Sequence, residues 1–538
     1  MTNFKNNEQQ ANDRKELPLG IQSFRTIREG NGYYVDKTPF IDQLTRGLTR
    51  QYFLSRPRRF GKSLLLNTML ELFEGNEQLF KGLHIHNHWD WGTQYPVVHL
   101  SFGGNRYTKS RTLEENVRFQ LMRLETKHAL PDTHKFKEMN EPDRFGNLLY
   151  HIHKTTGTQV VVLVDEYDKP ILDAIENREL AVRNRDYLQG LYAVIKDFES
   201  EIRFAFITGI TMFSKVSLLS TLNNLTDISL DPLYSSICGY TEFDLNEVFS
   251  DRLTGFDMDE IRHWYHGYSW LGEEKVYNPW AILNLLQLRK FEPYWSITGM
   301  PSFLYKVMME RELTPLDAKN LKVDRSFIST FDVDNMGAEA LMFQSGYLTI
   351  TGEQKKEANT IYELDYPNLE VRASLNDGYL QYLFGQGRNL LAQTQRLVDS
   401  LRHKDFKGFE VKVRSLFASI PNEVHQHNDM AQYEGWYCSV LHACLCDDAM
   451  IPDIRSQEST SRGRSDLVVV IDRQVFVIEC KMAVKTDDAD REVSAAISQI
   501  RDRGYADKYR DGVNALYFIG AVFDGNERNL IKMKVEPN

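Results

Sequence analysis

The segment RPRRFGKS, Arg56 to Ser63, combines the groups a phosphate-binding loop needs: backbone N–H groups in a tight turn, a lysine to reach the β and γ oxygens, and a hydroxyl for Mg2+. Gly61, Lys62 and Ser63 supply the GK[ST] ending. Apolar QYFL precedes the loop and LLLNTMLELF follows it, so the free amides of a helix N-terminus would face the phosphates. One position departs from the GxxxxGK[ST] pattern: Arg56 stands where the first glycine is usual, and Pro57 stiffens the turn. A second segment, VVVLVDEYD at 160–168, is an apolar run ending in carboxylates. On a strand end, Asp165 would hold Mg2+ and Glu166 would orient or deprotonate the water attacking a γ-phosphate. The plainer alternative is an acidic turn after a core strand. A third run, RFAFITGI, ends in Thr208, placed to sense the γ-phosphate, although strands often end in Thr-Gly simply because a turn follows. The expected nucleotide site is Arg58, Arg59, Phe60, Gly61, Lys62, Ser63, Leu64, Asp165 and Thr208, with Glu166 catalytic, Ser63 and Asp165 on Mg2+, and ATP as ligand.

A second constellation lies near the other end. GRSDLVVVIDRQVFVIECK sets Asp466 at the start of one strand and the Glu479-x-Lys481 pair at the end of the next. With IDRQ as the turn, the hairpin returns Glu479 to Asp466, and strand alternation points Glu479 and Lys481 to one face. Such a trio suits phosphodiester hydrolysis: Asp466 and Glu479 bind Mg2+, the ion lowers the pKa of a bound water, and Lys481 steadies the nucleophile or the transition-state charge. The Cys480 carbonyl is a further candidate ligand. The alternative is an exposed hairpin carrying a cross-strand ion pair.

The elements that must hold these residues follow from pattern. Strand-sized apolar runs at QYFLS, VVHLSF, VVVLVDE and RFAFITG alternate with helical stretches up to about Cys238, which predicts a mostly parallel sheet covered by helices on both faces. Residues 1–16 are polar and read as a disordered lead-in, and 17–245 form the first α/β domain. Residues 246–340 read as a helical or winged-helix-like lid, rich in aromatics such as Tyr277, Trp280, Tyr294 and Trp295, which are taken as packing. A connector spans 341–429, and 430–538 form a compact α/β/α domain. At 538 residues and 42% hydrophobic content the chain is long enough for several cores. With no apolar leader and no membrane-length run, the expectation is a cytoplasmic protein without a membrane partner. Five scattered cysteines argue for free thiols, and His442 with Cys444 and Cys446 reads as buried helix rather than a metal site. A net charge of −11 requires any nucleic-acid contact to use a local basic patch. His84, His86 and His88 alternate as strand residues would, but without an acidic or thiol partner they read as a surface turn.

RPRRFGKSLLLNTM, VDEYDKPI, ITGITMFSKVS, NNLTDISLDPLY and CGYTEFDL together resemble the bacterial AAA-ATPase-like family, as does LPLGIQSFRTIREGNGYYVDKTPFI. That family also lacks the first glycine of the loop. The resemblance covers about Leu17 to Leu245 and implies an AAA-type P-loop fold within the STAND-like ATPases. Its YVDKT signature, Tyr34 to Thr38, implies proximity to the nucleotide, while Asp36 equally suits the N-cap of the helix starting TPFIDQL. From about Met430 to Tyr509 the chain resembles the PD-(D/E)XK nuclease-like domain that follows this ATPase, a restriction-endonuclease-like fold. By that resemblance Glu434 is an auxiliary acid and Gln499 contacts the scissile region. The resemblance also implies a homo-oligomer, since AAA-type sites borrow a residue from a neighbour, and the arginine involved is not identified among Arg203, Arg252 and others. Two functions stand: an ATP-regulated, Mg2+-dependent nuclease, or a STAND-like switch whose C-terminal domain binds without cutting.

Overall fold

The computed structural model describes residues 15–109, 111–130, 139–212, 224–295, 302–324, 337–356, 359–385, 390–425, 430–445, 453–456, 459–460, 463–483, 488–509 and 515–538. Residues 1–14 of the expected lead-in lie outside these, as do Cys446 and the part of ITGITMFSKVS from 213 onward. Glu16 is already engaged, its carbonyl accepting the Tyr33 amide at 2.9 Å. The chain divides into two compact units, Met1–Trp295 with Lys322–Asn368, and Ser296–Leu321 with Leu369–Asn538. The stretch 341–429 is therefore shared between them, and 246–295 belongs with the first.

In the first unit, strands β1 (Gln51–Ser55), β2 (Val97–Ser101), β3 (Val160–Asp165), β4 (Ile202–Gly209) and β5 (Thr226–Asp227) form one sheet in the order β2-β3-β4-β1-β5. Every pairing in it is parallel. β1 and β3 are buried at every position, because apolar runs without alternation require cover on both faces. Parallel pairing puts all the strand C-termini at one edge, with Ser55 opposite Gly209 and Ser101 opposite Asp165. The RPRRFGKS segment after β1 and the VDEYD turn after β3 thus lie at the same edge with β4 between their strands, the usual ligand edge of an open α/β sheet. Helix α1 (Thr38–Arg46) precedes β1, and helix α2 (Lys62–Phe73) follows the loop. Beyond the sheet, helices Glu242–Val248, Met258–Tyr265 and Pro279–Leu288 share an aromatic core with Tyr33, Tyr265, Tyr277 and Tyr294, so these aromatics do pack.

The second unit contains a five-stranded sheet of β6 (Asp453–Ser456), β7 (Leu467–Ile471), β8 (Gln474–Ala483), β9 (Ala515–Asp524) and β10 (Asn529–Pro537), in that spatial order. Only β8 and β9 pair in parallel. The β7–β8 turn is Asp472-Arg473, both at positive φ, the two-residue form whose twist matches the strands. Alternation along β9 splits its faces. Leu516 and Phe518 pack with Ile497 and Ile500 of helix α4 (Ala489–Asp502), whereas Phe523 stacks on Tyr437 of helix α3 (Glu434–Leu445). Helices therefore cover both faces, giving the α/β/α layering. Close approach of α4 leaves no room at Gly520, where a Cβ would meet the Val493 carbonyl at 2.9 Å. No helix among the described residues is long and apolar enough to cross a membrane.

Candidate active sites

At the first site, β1 runs into the loop and Gly61, at φ +93°, turns the chain into α2, a conformation that suits glycine. Lys62 is buried, and its Nζ donates to the Arg56 and Pro57 carbonyls at 2.8 and 2.9 Å. Burial lowers its pKa, opposed by the charges of Asp165 and Glu166. Ser63 and Leu64 are half-buried on the first turn of α2, and Arg58 is exposed. Arg59, at φ +69°, lies over the Trp280 ring at 4.2 Å. Phe60 is buried edge-on against Tyr268 and Trp270.

Arg56, the departure from the consensus, is wholly buried. Its guanidinium donates to the carbonyls of Ser55 and Ser229 at 2.8 Å each, Tyr234 at 3.0 Å and Ser235 at 3.4 Å, and it stacks on Trp270 at 4.2 Å. Burial lowers its pKa to about 10, so it stays charged at neutral pH. Arg56 is not among the positive-φ residues, so its backbone has no need of glycine, and the side chain anchors the loop to the segment 229–235.

Asp165 is buried with Oδ1 unpaired, and Glu166 follows at φ +53°. A non-glycine residue holds that conformation only when its surroundings impose it. Here the Tyr167 amide donates to the Thr208 carbonyl at 3.1 Å and the Tyr167 hydroxyl to the Thr211 carbonyl at 2.9 Å. Asp168 Oδ2 accepts the Ile210 amide at 3.0 Å, and the Thr211 amide and hydroxyl at 2.6 Å each. Gly209 makes this junction possible, since a Cβ there would lie 2.4 Å from Asp168 Oδ1 and 2.5 Å from the Tyr167 ring. Burial, then the charge of Asp165, pushes Glu166 above the ordinary carboxylate value. Asp168 escaped the sequence reading; its spacing of three from Asp165 was the available signal.

Thr208, expected to sense the γ-phosphate, is fully buried, and its hydroxyl donates to the Leu54 carbonyl at 2.8 Å, tying β4 to β1. In YVDKT the N-cap of α1 is Lys37 rather than Asp36, whose Oδ1 accepts the Thr38 amide at 2.9 Å and whose Oδ2 accepts the His84 amide at 2.7 Å. Of the two named arginines, Arg252 donates to the Tyr33 hydroxyl and Arg203 to the Thr45 carbonyl.

At the second site, β8 carries Val475, Val477, Glu479 and Lys481 on one face, apolar against α4 and then polar at its far end. Lys481 Nζ lies 3.4 Å from Glu479 Oε1 and 3.3 Å from Glu434 Oε1, at the start of α3. Gln499 of α4 donates its amide to Glu479 Oε1, and the Cys480 amide donates to Asp466 Oδ2 at 2.9 Å. All five residues named from the sequence thus converge, with Gln499 on Glu479 itself. Glu479 is 1% exposed and its Oε2 is unpaired. Burial, then the Asp466 charge, raises its pKa to about 8. Burial alone would lower Lys481, but Glu434 and Glu479 outweigh it and hold the ammonium charged. Orphaned, buried carboxylate oxygens at Asp165 and Glu479 fit a hard divalent cation at each site, which would supply the charge each lacks. On the opposite face, Cys438 and Cys480 lie beside Asp466, a grouping not anticipated from the sequence.

Fold and sites define a two-part protein: a P-loop-like α/β unit with the Gly61-Lys62-Ser63 loop at the edge of its parallel sheet, and a carboxylate–lysine cluster of PD-(D/E)XK type on an α/β/α unit. Residues 18–219 match the family described as Predicted AAA-ATPase, and residues 432–533 match the PD-(D/E)XK nuclease superfamily. A relative from Azotobacter chroococcum mcd 1, "Uncharacterized protein in vnfD 5'region", is 44% identical over 524 residues, which is 97% of this chain and 99% of that protein. No solved structure matches. The chain belongs to the bacterial AAA-ATPase-like family with a C-terminal PD-(D/E)XK nuclease superfamily domain.

Proposed function

We propose that the protein is a cytoplasmic, ATP-regulated nuclease that cleaves nucleic acid phosphodiesters with Mg2+. The observation that carries this reading is the convergence of Asp466, Glu479, Lys481, Glu434 and Gln499 around a buried carboxylate oxygen that nothing pairs. In this account Asp466 and Glu479 hold Mg2+, which when bound activates water and neutralises phosphate charge. Gln499 fixes Glu479 through Oε1 and leaves Oε2 for the ion. Lys481, held charged by its two carboxylates, stabilises the anionic transition state rather than removing a proton.

At the ATP site, Lys62 exchanges the Arg56 and Pro57 carbonyls for phosphate oxygens, Ser63 and Asp165 hold Mg2+, and Glu166 orients the attacking water. Residues 246–340 serve as a helical or winged-helix-like lid, and self-assembly brings a neighbour's arginine to the nucleotide. The net charge of −11 favours a second reading, a STAND-like switch whose C-terminal domain binds without cutting. Incubation with circular, linear and single-stranded DNA and Mg2+ separates the two. Cutting lost in Lys481→Ala supports the nuclease, and no Lys481-dependent cutting under any condition leaves the switch.

A further inference from the structure

The stretch GLHIHNHWDW does not form a strand. His84–Asn87 is a 3-10 turn, and His88 closes it. On that turn the rings of His84 and His88 stack, 4.4 Å between centroids and 22° between planes. Asp42 of α1, distant in sequence, reaches His84 Nε2 with Oδ2 at 3.1 Å. One donor atom from each of Asp42, His84 and His88 lies within 4.8 Å of the other two. The acidic partner is therefore Asp42, brought in by the fold, while the neighbouring Asp90 is engaged by the Gly92 amide and the Thr93 hydroxyl.

We propose that Asp42, His84 and His88 form a transition-metal site that takes Zn2+ or a similar borderline divalent ion. Two imidazole nitrogens and one carboxylate oxygen make a donor set that suits such ions and not Mg2+, which prefers oxygen ligands throughout. A tetrahedral ion with bonds of about 2.0–2.1 Å needs donors roughly 3.4 Å apart, so small rotations of the exposed His88 complete the set. His84 is 40% exposed on its side chain, which leaves the outer coordination position to water.

The surroundings already restrain the ligands. Asp36 Oδ2 accepts the His84 amide at 2.7 Å, and Thr38 Oγ1 accepts the Ile85 amide at 3.1 Å, pinning the turn to the start of α1. Asp42 is 5% exposed, and Arg46 Nε donates to its Oδ1 at 2.6 Å, which orients Oδ2 toward the imidazoles. His86 is turned elsewhere, toward Glu77 at 3.5 Å, so two of the three histidines serve, at i and i+4. A bound ion would fasten the turn to the helix that YVDKT begins. This site is independent of both the ATP and the nuclease readings.

The test uses the full chain, stripped with chelator and titrated with Zn2+ by calorimetry and with Co2+ by visible absorption. His88→Ala and Asp42→Asn are compared with the natural sequence. An Asp466→Asn, Glu479→Gln background removes the other carboxylate cluster. In that background the site predicts about one bound Zn2+ per chain, an intense tetrahedral Co2+ spectrum, and at least about a tenfold loss of affinity in either variant. His88 is exposed, so His88→Ala should keep its melting temperature, and the loss then reports ligation rather than unfolding. Equal stoichiometry and affinity in His88→Ala, Asp42→Asn and their parent would overturn the proposal.

Discussion

Replacing Arg56 by glycine would restore the consensus of the phosphate loop, yet the structure predicts that it destroys the site. Four backbone carbonyls, those of Ser55, Ser229, Tyr234 and Ser235, accept the guanidinium, and Trp270 stacks on it. A buried acceptor left unpaired costs about 1–3 kcal/mol, but the vacated side-chain volume admits water that pairs some of them. With about two of the four carbonyls left unpaired the loss is roughly 2–6 kcal/mol, about 4 kcal/mol at its centre. Against a domain stability of about 5–15 kcal/mol this is a large share, and it corresponds to a fall of roughly 10 °C in melting temperature. Lys62 shares the loop, since its Nζ is held by the Arg56 and Pro57 carbonyls, so loosening residue 56 also displaces Lys62. Thermal melts and titration with a fluorescent ATP analogue measure both effects. Arg56→Gly should melt early and bind weakly. Arg56→Lys, which keeps the charge without the planar fork, should fall between. An Arg56→Gly protein that melts like its parent and binds ATP equally well would refute the anchoring argument.

Asp168→Ala removes the acceptor that ties the VDEYD turn to Ile210 and Thr211, so Glu166 should lose its aim. We expect ATP turnover to fall about 100-fold with ATP affinity little changed, measured as separate kcat and Kd values; an unchanged kcat would contradict the positioning role. Gln499→Ala should weaken the Mg2+ dependence of cleavage by about 10–100-fold, read as a rightward shift of the Mg2+ activation curve that a purely structural role would not produce. His442, buried in α3, has its pKa lowered by desolvation to about 3. Its folded-state value lies below the unfolded one, so the unfolded chain binds more protons. The stability it contributes is present above about pH 6.5 and is lost as pH falls toward 3, by up to about 1.4 kcal/mol per unit. Denaturant melts between pH 7 and 5 should show this slope, and His442→Asn should flatten it.

The core strands of both sheets were legible because their signal is local: short apolar runs closed by turn residues, as in VVVLVDE and the Asp472-Arg473 hairpin. The Glu479–Lys481 pairing was legible for the same reason, since alternation alone puts them on one face. β10 was missed because NLIKMKVEP is mostly polar on its exposed side, as an outer strand can be. The histidine segment was legible as a surface turn, and its two-residue alternation describes a turn burying Ile85 alone. What pins that turn, Asp36 and Thr38, lies more than forty residues away. The same distance hid the purpose of Arg56, whose acceptors at 229–235 are brought near only by the β1–β5 pairing. Asp42 beside His84 and His88 is likewise a product of tertiary contact, which no local pattern announces.

The central claim is that the nucleotide site controls Mg2+-dependent cutting at Asp466, Glu479 and Lys481. The most direct measurement is the DNA cleavage rate with and without ATP, in one buffer with Mg2+, for the natural chain, Lys62→Ala and Lys481→Ala. The account predicts that ATP changes the rate in the natural chain, that Lys62→Ala still cuts but no longer responds to ATP, and that Lys481→Ala does not cut. Cleavage that persists in Lys481→Ala, or an ATP response that survives Lys62→Ala, would contradict it.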